Sequence, residues 1–235
     1  MHMHPETAHA EKHFEQSETL RDIVIGMSDG LTVPFALAAG LSSVHSVSNN
    51  IIITAGLAEI IAGSIAMGLG GYLAGKTEIE HYDSELKREY REIEEFYEVE
   101  KKECRDIFAE YGLSKESQEK IVDELSKDHD KWVDFMMRYE LGLEKPDIKR
   151  ARQSARNIGV AYIVGGIVPL SAYIFTTQPI NGLLFSCIIT TACLFTFGYF
   201  KSKVTGQPPL QGALTTTIIG LLAAAAAFGI ARLFS

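Results

Sequence analysis

Three long segments of this sequence contain no charged residue. They cover residues 158–176, 180–200 and 210–231, and they are 19, 21 and 22 residues long. A helix of this length reaches about 30 Å, the thickness of the hydrocarbon core of a bilayer. Burying three such helices in a soluble core would need other elements to cover them, and a chain of 235 residues has none to spare. The three segments therefore predict transmembrane helices.

Two further segments are almost as apolar, and each contains one acidic residue. Residues 23–44 are interrupted only by Asp29 and residues 51–75 only by Glu59, so the sequence predicts five transmembrane helices. An ionisable side chain in a span costs about 2.5–3.5 kcal/mol, so it usually faces the bundle interior and marks an ion path. With Met67, two turns beyond Glu59, the two acids form a candidate path for a divalent cation or protons. Alternatively, both acids are buried structural partners of serine or backbone groups.

Glycines and prolines recur within the predicted spans. Gly56, Gly63 and Gly70 are spaced by seven residues, and small residues let transmembrane helices approach closely, either within one chain or in a homodimer. Pro34 and Pro169 each lie inside a span, where proline kinks a helix and frees a backbone carbonyl.

Most charged residues lie between the second and third predicted spans. Residues 76–152 hold 16 of the 22 basic and 23 of the 30 acidic residues, and the formal net charge of the chain is −8. This balance argues against nucleic acid as a partner and favours cations. The three cysteines show neither metal-ligand spacing nor a disulfide pattern, and the first 20 residues lack the apolar run of a cleaved signal peptide.

The positions of lysine and arginine predict the orientation in the membrane. Basic residues precede the first span, fill residues 76–152 and follow the fourth span at Lys201 and Lys203, whereas loops 46–50 and 177–179 have none. By the positive-inside rule, the N-terminus and the charged segment are cytosolic and the C-terminus lies across the membrane.

The charged segment predicts three helices. No proline or glycine interrupts residues 76–111, so the second span is expected to continue as one long helix to Tyr111. Gly112 is well placed as a C-cap of the long helix, and Ser114 as the N-cap of a second helix at 115–126. A third helix is predicted at 128–141, ending at Gly142. The predicted fold class is an all-α membrane protein with five transmembrane helices and a cytosolic three-helix metal-binding module between spans 2 and 3. The predicted domains are a cytosolic tail, spans 1 and 2, the module, and spans 3 to 5, at residues 1–21, 22–75, 76–153 and 154–235.

Carboxylates and thioethers in the module form a second candidate metal site. Four glutamates share a sector of about 60° on the predicted long helix, and the third predicted helix adds two methionines and a glutamate. These residues are Glu89, Glu92, Glu100, Glu103, Met136, Met137 and Glu140. Carboxylates bind Mg, Ca, Mn and Fe(II), and thioether sulfur favours softer transition metals. Taken singly, a glutamate stripe is also typical of a solvated face, and a methionine pair of core packing. Cys104 borders the glutamate stripe and is a further, less favoured candidate ligand.

Other chemistry is not favoured by the sequence. The histidines near the N-terminus can bind metal, but a flexible polar tail is the preferred interpretation; they are His2, His4, His9 and His13. No nucleophile–base pair or phosphate-binding loop is present, so the sequence predicts neither an enzyme nor a prosthetic group.

Four segments together have a distinctive sequence. They are residues 27–35 (MSDGLTVPF), the span with Glu59 and Met67, residues 132–143 (WVDFMMRYELGL) and residues 165–170 (GGIVPL). These segments resemble the vacuolar iron transporter family, above all its plant members, a family related to the yeast vacuolar iron/manganese carrier. The resemblance extends from about Leu20 to the end of the chain.

The resemblance implies a five-span, dimeric Fe(II)/H⁺ antiporter of the vacuolar membrane. Such a protein would move ferrous iron, and also Mn(II) and related divalent metals, from the cytosol into the vacuole. It would bind metal through the seven module residues given above, and Asp29, Glu59 and Met67 would line a path between two protomers. Iron, the dimer and the vacuole follow from the resemblance alone.

Two other functions remain open at this point. A membrane-anchored cytosolic metal sensor or scaffold would have no need of intramembrane acids. A metal-gated cation channel would conduct independently of an imposed pH gradient.

Overall fold

The computed structural model describes the backbone of residues 5–234 and the side chains of residues 18–234. Eight α-helices account for most of these residues: α1 (Pro5–Ser42), α2 (Asn49–Glu95), α3 (Tyr97–Glu110), α4 (Lys115–Leu125), α5 (His129–Tyr139), α6 (Arg150–Ile174), α7 (Pro179–Val204) and α8 (Pro209–Leu233). His2 and His4, and the side chains of His9 and His13, lie outside the described residues, so the prediction for the N-terminal tail stays a prediction.

Five of these helices are long and apolar enough to cross a membrane, which confirms the predicted number of spans. They are α1 from Glu18 onwards, α2, α6, α7 and α8. Large apolar side chains on these helices are exposed, among them Ile61 and Ile65 on α2 and Leu222 on α8. Exposed apolar surface of this kind is expected where a helix faces lipid.

The chain divides into two compact units, of which the first combines Met1–Tyr72 with Arg152–Ser235. In this unit, α7 and α8 pack against each other and both pack against α1. Helices α1 and α6 are in backbone contact, because an ideal Cβ at Gly30 would lie 2.9 Å from Cα of Tyr162. An ideal Cβ at Gly165 would likewise lie 2.9 Å from the backbone nitrogen of Leu31. Only glycine allows the two helices to approach so closely at these positions.

The seven-residue glycine repeat of α2 makes room for side chains of α6. The atoms nearest to an ideal Cβ at Gly56 belong to the side chain of Leu170, and those nearest to one at Gly63 belong to the Tyr162 ring. At Gly70, no described atom lies within 4 Å of such a Cβ. The predicted close packing within the chain is therefore present at two of the three glycines, where it admits side chains.

The second unit, Leu73–Ala151, has its own apolar core. Helix α4 packs against α3 and α5, and the helix ends have the predicted caps, since Ser114 Oγ accepts a hydrogen bond from the Ser117 amide at 3.3 Å. Gly112 follows α3 with a φ of +79°, a conformation that favours glycine. The buried members of the core are Tyr82, Ile93, Cys104, Val122, Trp132, Val133, Met136 and Met137.

The prediction of one unbroken helix as far as Tyr111 is wrong. Helix α2 ends at Glu95, Phe96 has φ −126° and ψ 35°, and α3 begins at the next residue. No proline or glycine causes this break. Ile93 and Cys104 both belong to the core of the second unit, yet on a straight helix they would lie about 16 Å apart along the axis. Tertiary packing therefore overrides the local preference for a continuous helix.

Candidate metal centres

Three carboxylates meet in the second unit. Glu89, Glu100 and Glu140 each have one oxygen that lies within 4.8 Å of the corresponding oxygens of the other two. Glu89 comes from the end of α2, Glu100 from the first turn of α3, and Glu140 caps the C-terminus of α5. Glu89 is 1% exposed and Glu100 is 5% exposed, whereas Glu140 is exposed. We refer to these three residues as the carboxylate triad.

The break at Phe96 creates the triad. Glu89 and Glu100 are eleven residues apart, so a straight helix would separate them by about 16 Å along its axis. The chain changes direction at Phe96, and their carboxylates come together. Three of the seven predicted module ligands are therefore brought together, but by a break in the helix and not along one continuous stripe.

Burial and mutual repulsion weaken the acidity of the triad. Desolvation, followed by the charges of Glu140 and Glu100, raises the pKa of Glu89 to about 7. Desolvation, followed by the charges of Glu103 and Glu140, raises the pKa of Glu100 to about 7. Glu140 is the exposed member, but its carboxyl group is partly desolvated beside the other two, and its pKa is also raised. At neutral pH, Glu89 and Glu100 are thus poised between protonated and charged forms.

The triad has the chemistry of a cation site. Oε2 of Glu89 and Oε2 of Glu100 are buried and accept no hydrogen bond from any described residue. Buried carboxylate oxygens without donors are costly, and a divalent cation would compensate them. Oxygen ligands of this kind suit Mg, Ca, Mn and Fe(II).

Two further predicted ligands lie close to the triad but have other surroundings. Oε2 of Glu92 accepts a hydrogen bond from Nε of Arg88 at 3.2 Å, so this carboxylate is already paired. Glu103 is half-buried, and its charge contributes to the raised pKa of both Glu100 and Glu140.

The two predicted thioether ligands are core residues. Met136 and Met137 are fully buried, and Sδ of Met136 lies 3.2 Å from Sγ of Cys104, which acts as the donor. Nε1 of Trp132 donates to the same Sγ at 3.0 Å. Burial raises the pKa of the Cys104 thiol to about 12, so it stays protonated at neutral pH. The described contacts of Met136 are therefore with the core rather than with the triad.

The first unit contains the predicted intramembrane acids. The hydroxyl of Tyr162 on α6 donates a hydrogen bond to Oε1 of Glu59 on α2. Oε2 of Glu59 is buried and has no partner among the described residues. Glu59 therefore has one oxygen that is held and one that is free to bind a cation or a proton.

The same tyrosine links Glu59 to α1. Asp29 is half-buried and adjoins Gly30, which is in backbone contact with Tyr162. Asp29 and Glu59 both act electrostatically on the Tyr162 phenol. Met67 is half-buried on α2, two turns beyond Glu59.

One known protein family matches nearly the whole chain. The model of the VIT family matches residues 20–232 of this chain. This chain belongs to the VIT family.

Individual VIT relatives resemble almost the whole chain. Vacuolar iron transporter 1 of Arabidopsis thaliana is 51% identical over 95% of this chain and 89% of its own length. Vacuolar iron transporter 1 of Oryza sativa subsp. japonica is 50% identical over 97% of this chain and 90% of its own length. Protein CCC1 of Saccharomyces cerevisiae is 39% identical over 89% of this chain and 67% of its own length. The Arabidopsis and rice relatives are named as transporters, and this VIT chain is not an enzyme.

Two residues of this VIT chain were not predicted from its sequence: the tyrosine that binds Glu59 and a second buried acid on α1. Tyr162 lies in a segment without charged residues, so no feature of the sequence marks it as the partner of Glu59. Asp22 precedes the first apolar segment and is 1% exposed. Its Oδ1 accepts a hydrogen bond from Ser154 Oγ at 3.0 Å. Its position as an acidic residue directly adjoining a span is a signal that could have identified Asp22.

Proposed function

We propose that this chain carries ferrous iron from the cytosol into the vacuole in exchange for protons, as a multi-pass protein of the vacuolar membrane. Membership of the VIT family supports this proposal, and so do relatives at 50–51% identity that are named vacuolar iron transporters. Five helices of membrane-spanning length agree with a multi-pass protein.

The observation that supports proton-coupled transport is the set of contacts made by the Glu59 carboxylate. Its carboxylate lies in a membrane-spanning helix, with one oxygen bound by Tyr162 and the other without a partner. Such a group is costly in an apolar span unless it binds something, and the candidates are a metal cation and a proton. Because the two cations compete for the same negative charge, a pH difference across the membrane drives the metal towards the acidic side. Asp29 provides the second carboxylate of the path, and Met67 provides a thioether.

The carboxylate triad supplies iron to this path. Cytosolic metal binds to Glu89, Glu100 and Glu140 and displaces the protons that their raised pKa values retain near neutrality. The other predicted ligands join when the metal arrives, which requires Glu92 to leave Arg88 and Met136 to leave Cys104. These additional ligands are Glu92, Glu103, Met136 and Met137.

Orientation, assembly and cargo complete the proposal. The positions of lysine and arginine support a cytosolic N-terminus and a cytosolic module at residues 76–153, with the C-terminus in the vacuolar lumen. The chain works as a homodimer with the path between protomers, as the family resemblance implies. Mn(II) is a second cargo, because carboxylate oxygens bind Mn(II) as well as Fe(II).

Transport into proteoliposomes tests the function directly. We expect wild-type protein to accumulate ferrous ions against their gradient when the lumen is acidic, and to lose accumulation when the pH difference is collapsed. Glu59→Gln and Asp29→Asn should each reduce the initial rate at least tenfold, because an amide holds neither a metal ion nor an exchangeable proton in this role. Uptake is measured with a fluorescent iron indicator inside the vesicles.

The matched control is Glu94→Gln, which neutralises an exposed acid of α2 outside both sites. It should transport at the wild-type rate. Uphill uptake by the Glu59→Gln and Asp29→Asn variants would refute the proposed path. Downhill flux that ignores the pH gradient would identify a channel, and metal binding without any flux would identify a sensor.

A further inference from the structure

Tyr162 on α6 contacts the intramembrane acid Glu59 on α2 through a hydrogen bond from its side chain. Its hydroxyl donates to Oε1 of Glu59, while Oε2 of the same carboxylate is buried without a partner. Tyr162 is 2% exposed. The two oxygens of one carboxylate are therefore in unequal surroundings inside the membrane-spanning unit.

Neighbouring glycines fix the position of the tyrosine. Gly63 lies one turn beyond Glu59 on α2, and an ideal Cβ there would lie 2.5 Å from the Tyr162 hydroxyl oxygen and 2.6 Å from Cζ. On the other side, an ideal Cβ at Gly30 would lie 2.9 Å from Cα of Tyr162. The Tyr162 ring thus packs directly against α2 at Gly63, and the Tyr162 backbone packs directly against α1 at Gly30. This close packing leaves neither of them room to shift.

A phenol is well suited to this position. As a neutral donor it stabilises the Glu59 carboxylate without replacing the cation, whereas a lysine or arginine would itself neutralise the charge. A hydroxyl can also rotate to accept a hydrogen bond when the carboxyl group is protonated. Tyr162 can therefore remain bonded to Glu59 when the carboxyl group is charged and when it is neutral.

We infer that Tyr162 is a positioning residue of the translocation path, which holds Oε1 of Glu59 so that Oε2 alone receives the metal ion or the proton. This inference rests on the function proposed above. It assigns a role in cation exchange to a residue that carries no charge, and it makes Gly63 part of the same arrangement.

The decisive experiment compares Tyr162→Phe with Tyr173→Phe in proteoliposomes. Both residues are buried tyrosines of α6, and the Tyr173 hydroxyl bonds to Ser42 at 2.9 Å instead of to an acid. In Tyr162→Phe the charged carboxylate loses a donor, so protons compete better with ferrous ions. We expect the external pH for half-maximal uptake to rise by about one unit. The KM for ferrous ions at pH 6.5 should rise several-fold, while the rate at saturating metal and high pH stays within twofold of wild type.

Tyr173→Phe should keep the wild-type pH profile, even if its thermal stability falls. Gly63→Ala should reproduce the pH shift of Tyr162→Phe, because the methyl group displaces the ring while the hydroxyl remains. Gly70→Ala places the same methyl group where no described atom lies within 4 Å, and its pH profile should be unchanged. A pH profile of Tyr162→Phe equal to that of wild type would overturn the inference.

Infrared difference spectroscopy gives a readout that does not depend on transport. Metal binding to purified protein should change a carboxyl band that is absent in Glu59→Gln, and this band should move to a different frequency in Tyr162→Phe. Wild-type protein that takes up no iron would refute the proposed function. Wild-type uptake combined with an unshifted carboxyl band in Tyr162→Phe would refute only the role of Tyr162.

Discussion

Carboxylates that are buried beside one another make a protein sensitive to protons and to cations. In the metal-free protein, Glu89 and Glu100 have a pKa of about 7 instead of the ordinary 4.5, because they are desolvated and close to other acids. Between these two values the folded protein binds more protons than the unfolded chain. Each proton removed in this range weakens the fold of the second unit, and a bound cation reverses the effect.

The first consequence is a stability that depends on pH in an unusual direction. Without metal, the unfolding temperature of the second unit should fall as the pH rises from about 5 to 8. Affinity for Mn(II) or Fe(II) should rise over the same range and level off above about pH 7, by up to tenfold per pH unit for each displaced proton. Fluorescence of Trp132, the single tryptophan of the chain, reports both quantities.

Glu89→Gln separates these effects. It removes one buried charge, so the metal-free protein should become more stable at pH 8 while its metal affinity falls at least tenfold. Glu94→Gln, an exposed acid of the same helix, should change neither quantity. A metal-free protein that gains stability as the pH rises from 5 to 8 would contradict this account of the triad.

At the scale of single residues, the sequence predicted acids better than their neutral partners. Asp29 and Glu59 were conspicuous because a charge in an apolar span is rare and costly. Tyr162 was not, because a tyrosine in a span has an ordinary role in packing or at a membrane interface. Its hydrogen bond to Glu59 joins residues 103 positions apart in the sequence, and no local pattern encodes such a contact.

Among the helices, the crossing of α1 and α6 depends on glycine. Gly30→Ala should destabilise the protein by about 1–3 kcal/mol or more, because the new methyl group meets the backbone of Tyr162, which cannot rotate away as a side chain does. The measurement is the unfolding temperature of the detergent-solubilised protein.

Gly229→Ala on α8 provides the comparison, since no described atom lies within 4 Å of an ideal Cβ at this position. Its unfolding temperature should equal or slightly exceed that of wild type, because alanine favours a helix more than glycine does. Equal losses of stability in the two variants would show that close packing is not what requires glycine at position 30.

Helix existence was easier to predict than helix continuity. Charge-free segments, the serine cap at Ser114 and the glycine at Gly112 predicted most helices because those signals are local. The break at Phe96 has no such signal, since neither proline nor glycine lies nearby. It arises because Ile93 and Cys104 both pack into one core, and half of the buried members of that core come from α5, far along the chain.

For the molecule as a whole, two units with separate cores predict separate folding. The segment 73–151 has its own buried cluster around Trp132, which is fully buried. Expressed alone, it should be helical and unfold cooperatively, and its Trp132 emission should be blue-shifted relative to free tryptophan.

The result that would contradict independent folding is emission from Trp132 at the wavelength of free tryptophan, without a cooperative transition. Trp132→Phe tests whether the signal belongs to the core, because it should abolish the emission and leave the helical circular dichroism in place. The hydropathy and charge of the sequence predicted these two regions, because one region is almost free of charged residues and the other contains most of them.

The bend at Phe96 has a consequence for how firmly a cation is held. Neither proline nor glycine enforces this bend. A conformation in which α2 and α3 form one straight helix would therefore differ from the observed one mainly in the backbone torsions near Phe96. Straightening would move Glu89 and Glu100 apart by far more than any ion can bridge. A cation at the triad would thus be held by the shape of the chain as much as by ligand chemistry, and straightening the helix alone would release it.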